Sequence, residues 1–179
     1  METEINTTPG VTPRSAGIRF GLIAAVISVV YFLILSVAGL DRTSAVWSWL
    51  GYIITAAIIF LAHKYYKENG DGFMSYGQGV GISLWIGLIS GVIGSIFTYL
   101  YIKFIDTGFI DMIKEKQLEK MQEKGMSDEQ IDQAMKFASM FTSPEAILIF
   151  AFVGSIIAAV IIGLIVTIFT QKKNPQGVF

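Results

Sequence analysis

Cysteine is absent from this 179-residue sequence and histidine occurs once. The first absence excludes a disulfide-stapled secreted module and a thiol-ligated metal centre, and with a single histidine no zinc ligand set can be assembled. Charge is also scarce. Lys, Arg, Asp and Glu make up 15% of the residues, against roughly 25% in an average soluble chain. The net charge of −1 gives no global signal for nucleic acid, so no nucleic-acid partner is expected. Proline is limited to four positions, all of them outside the long apolar runs. What remains is hydrophobic: 53% of the chain, with 18 glycines.

The few charges are bunched, leaving four uncharged stretches, Phe20 to Leu40, Thr43 to Ala62, Gly72 to Ile102 and Ala146 to Gln171. Each meets the requirement of about 20 largely apolar residues for a helix to cross a hydrocarbon core of about 30 Å. The expected fold is all-α, a four-transmembrane-helix bundle in a lipid bilayer. The expected organisation is a flexible tail over 1–16, spans over 17–40, 43–63, 73–102 and 144–171, a short connection over 64–72, an extra-membrane segment over 103–143, and a tail over 172–179.

The tail expectation rests on Thr7, Thr8, Pro9, Gly10 and Pro13, which read as helix breakers. Arg14 and Arg19 ahead of an apolar run, with Ser36-Val37-Ala38 after it, also fit a signal peptide. The run exceeds the about 7 to 15 residues of such a segment, which favours an uncleaved span. The connection Leu40-Asp41-Arg42 is short enough to make spans one and two an antiparallel hairpin. Trp47 and Trp49 mark one interface of span two, and Tyr65 and Tyr66 the other. His63, beside Lys64 at a span end, is expected at the interface. Span three is too long, and its Gly77-Gln78-Gly79-Val80-Gly81 entry is expected at the interface or irregular. That run is not a phosphate loop: Leu84 occupies the place of the third glycine, and no Gly-Lys-Ser/Thr follows.

The segment from Lys103 to Glu145 reads as an amphipathic helical hairpin, packed on itself or laid on the membrane. Ile110, Ile113 and Met121 share one narrow face with Gln117, while Asp111, Glu115, Glu119 and Glu123 drift around the far side. Gly125 stops this helix, and Ser127 with Gln130 makes a capping box for the next. Ser143-Pro144-Glu145 then supplies a cap, a first-turn proline and an acid suited to a helix start.

Four spans put the N-tail, the 64–72 connection and the C-tail on one side, with six basic residues against four acids, a net of +2. The opposite side has seven against ten, a net of −3. Because short basic flanks stay inside, both termini are expected in the cytoplasm and the hairpin outside.

No ionisable residue falls mid-span, and no catalytic set, cofactor-binding motif or metal-ligating cluster is found; the single histidine and the long segment are expected on opposite sides of the membrane. The chain is therefore expected not to be an enzyme and to need no cofactor. Small residues repeat every fourth position as Ser83, Gly87, Gly91 and Ser95, and as Ser155, Ala159 and Gly163. Such strips allow close helix packing, within the chain or in a homo-oligomer. Asp111, Glu115, Glu119, Ile131, Met135 and Phe141 are the candidate partner contacts, for a membrane or periplasmic protein. Gln78 is the candidate polar lining should the chain instead form a small oligomeric transporter or channel.

Several strings together resemble a bacterial membrane family known only as domain of unknown function 4199. They are Phe73-Met74-Ser75-Tyr76-Gly77-Gln78, Tyr101-Ile102-Lys103-Phe104-Ile105-Asp106, Gly125-Met126-Ser127-Asp128-Glu129-Gln130-Ile131 and Phe141-Thr142-Ser143-Pro144. The resemblance is clearest from about Tyr66 to Lys173. It implies four spans with an extra-membrane hairpin and no established activity; the expected location is a bacterial inner membrane.

Overall fold

In the computed structural model the chain is described over residues 10–41 and 44–175. Among these residues there are six helices: α1 (Pro13–Val37), α2 (Ala45–Glu68), α3 (Tyr76–Phe104), α4 (Phe109–Glu123), α5 (Asp128–Ser139) and α6 (Pro144–Thr170). The fold is all-α. Helices α1, α2, α3 and α6 are long and apolar enough to cross a membrane, and α4 and α5 form the hairpin between the last two.

The exposure pattern agrees with lipid as the solvent. Only 11–33% of the most apolar window of each long helix is buried, and large apolar side chains such as Val26, Ile53 and Ile168 are exposed. Contiguous apolar surface on this scale is not tolerated by a monomer in water. The protein is a multi-pass integral membrane protein.

α1 begins earlier than the breaker residues suggest. Thr12 is its N-cap, and Thr12 and Ser15 form a reciprocal capping box around Pro13 at the first helical position. Pro13 starts this helix because a first-turn proline has no N–H bond to lose. Of the expected tail, residues 1–9 lie outside the described residues, as do Arg42 of the first connection and 176–179 of the C-tail. α1 ends on Gly39 at φ 64°, with Leu40 N–H donating to Leu35 O at 3.0 Å, a left-handed stop that turns the chain toward α2. α2 packs against α1, and the Tyr31 hydroxyl donates to Trp47 O across the pair at 2.7 Å.

The glycine-rich entry to α3 is helical rather than irregular. Ser75 and Gln78 cap it reciprocally, Ser75 N–H donating to Gln78 Oε1 at 2.7 Å and Gln78 N–H to Ser75 Oγ at 3.3 Å. Local capping satisfies the first-turn N–H groups and outweighs the low helix propensity of the glycines.

The described chain divides into two compact units, one running up to Gly91 and resuming at Ser155, the other Val92–Gly154. In the second, α4 stops at Gly125 (φ 69°), with Met126 N–H donating to Met121 O, and Ser127 with Gln130 caps α5. α4 packs against α5, and Ile131 is buried. Ser143 Oγ accepts from Ala146 N–H at the start of α6. Nearby, Lys103 Nζ donates to Tyr99 Oη at 2.5 Å and lies 3.5 Å from Glu145 Oε1, joining the end of α3 to the start of α6.

Candidate functional site

The first unit contains a buried polar knot where α2 and α6 end and α3 begins. His63, expected at the interface, has no exposed surface. Its Nδ1 lies 2.8 Å from Thr170 Oγ1 and its Nε2 lies 3.0 Å from Gly79 O. A carbonyl only accepts, so Nε2 carries a hydrogen. The Thr170 hydroxyl has two acceptors within reach, His63 Nδ1 and Val166 O at 2.9 Å. Turned toward the ring, it completes both of the histidine's bonds.

The rest of the knot is equally well partnered. Ser83 Oγ donates to Gly79 O at 3.1 Å and Thr167 Oγ1 to Gly163 O at 2.5 Å; Ser83 and Thr167 have no exposed surface. One turn below His63, Lys67 Nζ donates to Thr170 O at 2.8 Å. A cation on the last carbonyls of α6 complements both the unpaired groups and the helix dipole. Gly79 is required by the approach of α6: a Cβ there would sit 2.6 Å from Thr167 Cγ2. Beneath the knot, Met74 and Lys172 exchange two backbone bonds of 2.9 Å, an isolated antiparallel bridge between the entry to α3 and the chain beyond α6.

Because the chain has one histidine, an imidazole ¹⁵N spectrum has one pair of signals to assign. The Nε2–H tautomer is the expected result; an Nδ1–H tautomer would contradict this bonding pattern.

Around the same unit, cations rest on aromatic faces. Arg19 stands 4.6 Å from the Tyr65 ring centroid and donates to its hydroxyl at 2.8 Å, Arg14 stands 5.1 Å from the Trp85 ring, and Lys172 5.3 Å from the Phe73 ring. Such pairs suit a headgroup layer, where an apolar body and a charged tip are both accommodated.

The small-residue strips are partly brought together. Gly163 lies against Ser83, Gly87 faces Ala159, and Ser155 Oγ donates to Gly87 O at 3.3 Å. Gly91 is buried, and Ser95, in the second unit, is buried and bonded to Val92 O. A further close approach went unread in the sequence: Gly17 meets Trp85 and the Ile82 carbonyl, and Gly21 meets Ile89. Gln78 puts its amide oxygen into the α3 cap.

The candidate contact residues separate. Asp111, Glu115 and Glu119 are exposed along α4. Ile131 is 7% exposed and belongs to the interior of the hairpin, where burial of its aliphatic side chain stabilises the second unit. Met135 is half-buried, and Phe141 is exposed, with its ring against Phe137 and Phe150.

Residues 19–172 match the family described as "Protein of unknown function (DUF4199)". The chain belongs to this family. The match takes in all of α2 to α6 and most of α1. No curated protein and no solved structure matches the chain.

Proposed function

We propose that this DUF4199 protein is a non-enzymatic binding or assembly component that engages a membrane or periplasmic protein through its α4–α5 hairpin. The observation that carries the reading is that α4, a helix of 15 residues, has no buried residue. Isolated helices of about 12–15 residues are marginal in water, and most helical stability in proteins comes from packing an amphipathic face. Phe109, Ile110, Met112, Ile113, Leu118 and Met121 are half-buried and none is fully buried, so the cover of α4 by its own chain is incomplete and a partner would complete it. Its exposed carboxylates, Asp111, Glu115 and Glu119, offer a negative stripe to a basic surface. The exposed Asp111–Lys114 pair, at 3.6 Å, leaves that stripe available, since surface ion pairs are worth only about 0–1 kcal/mol.

The basic flanks set the orientation in this proposal. Arg14, Arg19, Lys64, Lys67, Lys172 and Lys173 flank the spans on one side of a four-span layout, which supports an orientation with both termini in the cytoplasm and the hairpin outside a bacterial inner membrane. Gentle crosslinking in native membranes, affinity purification and mass determination of the intact complex test the reading. A discrete second protein is the expected result. A homo-oligomer alone would contradict it and favour a pathway shared between subunits.

A further inference from the structure

Only four residues, Met140 to Ser143, join the end of α5 to the start of α6. Fully extended they would reach about 14 Å, and the turn bonds Met140 N–H to Phe137 O and Phe141 N–H to Ala138 O keep them shorter. The last turn of α5 is therefore held beside the point where a membrane span begins. Three large apolar side chains there and just beyond it are uncovered, Phe137 64% exposed, Met140 70% and Phe141 43%, beside the exposed Lys136 and Ser139, whose polar tips suit the headgroup layer. Earlier in the same helix, Asp128, Glu129, Asp132 and Gln133 are exposed and polar.

The rings also show a direction. Phe137 lies 5.0 Å from Phe141, and Phe141 lies 5.6 Å from Phe150, centroid to centroid. Phe150 is six residues into α6, about 9 Å along its axis at 1.5 Å per residue, and 53% exposed within an uncharged run. A half-exposed ring at that point on a membrane span faces acyl chains. The aromatic series therefore carries the apolar surface of the span onto the end of α5.

We propose that the C-terminal turn of α5, through Phe137, Met140 and Phe141, is an interfacial foot that inserts among the lipid acyl chains of the leaflet on the hairpin's side. Lipid is the occupant because the patch continues a lipid-facing surface and sits where headgroups give way to hydrocarbon. An amphipathic helix end buries its apolar face there to a depth of about 5–10 Å. Phe141 thereby passes from a protein contact to a lipid contact. The foot uses none of Asp111, Glu115 or Glu119, and it stands whether or not that stripe binds a partner.

The cysteine-free chain permits single labels at Phe137→Cys, Met140→Cys and, as an aqueous reference, Glu119→Cys. After reconstitution into phosphatidylcholine vesicles, the fluorescent labels at the first two positions should be quenched several-fold more by a lipid-borne nitroxide than the third, and be protected from iodide. Quenching by iodide equal to the Glu119 label would overturn the proposal, and so would protection from both quenchers, which would mean that protein covers the turn. In the unsubstituted protein, a photoactivatable acyl-chain probe should label the Phe137–Phe141 peptide as well as α6. Labelling of α6 alone would overturn it too.

Discussion

Gly17→Ala and Gly163→Ala should each destabilise the protein by about 1–3 kcal/mol, the range for forcing one extra carbon into a packed interior. A Cβ on Gly17 would collide with the Trp85 side chain and stand 2.9 Å from the Ile82 carbonyl oxygen, and one on Gly163 would collide with the Ser83 side chain. Neither neighbour has a simple escape, because Ile82 O is backbone and Ser83 is fully buried. The control has the opposite sign. A Cβ at Gly77 or Gly154 would meet nothing within 4 Å, so alanine there should leave stability unchanged or raise it by about 0.5–1 kcal/mol through helix propensity. Thermal and SDS-titration unfolding in detergent distinguish the pairs. Equal effects at all four positions would show that the close helix approaches are not what holds the first unit together.

His63→Ala should cost about 2–5 kcal/mol, combining a cavity with the loss of two buried hydrogen bonds. The knot joins three helices: His63 from α2, Gly79 and Ser83 from α3, Thr170 from α6. Removing the ring leaves Gly79 O with Ser83 Oγ and the Thr170 hydroxyl with Val166 O, so part of the polar loss is recovered and the cavity dominates. His63→Gln, which keeps an N–H donor and much of the volume, should retain most of the stability. If Gln were as damaging as Ala, the ring shape rather than its bonds would be the source of stabilisation. These variants are read in the same unfolding assays.

The contrast between local and distant interactions explains what the sequence could reveal. The spans, the Gly125 stop, the Ser127–Gln130 box and the Ser143–Pro144 start are each written within a few residues, so charge gaps and cap patterns locate them. Pro13 reads as a breaker, yet the same residue that breaks a helix in its interior begins one at its first turn; the Thr12 and Ser15 capping box makes it a start. The knot was not legible. His63 meets partners 16 and 107 residues away, and no periodicity in α2 announces that a histidine at its end will turn inward. Gly17 and Gly21 were hidden for a different reason: glycine is frequent in membrane helices, and four-residue spacing does not say which helix will be met. The Gln78 cap is local, since Gln78 stands three residues after Ser75 and the two bond reciprocally.

The α4 stripe is the contact surface on which the proposed function rests, and charge reversal tests it most directly. Wild-type protein and the triple variant Asp111→Lys, Glu115→Lys, Glu119→Lys would be purified in parallel from crosslinked native membranes, at low and at moderate salt, and the co-purifying protein quantified per chain. All three positions are exposed, so the exchange removes no packing, and circular dichroism of the purified variant checks that α4 stays helical despite the added like charges. The account predicts a discrete partner with the wild type, weakened by salt because exposed charges are screened over about 10 Å at 0.1 M, and lost with the variant. An unchanged yield of the same partner from both proteins would contradict it.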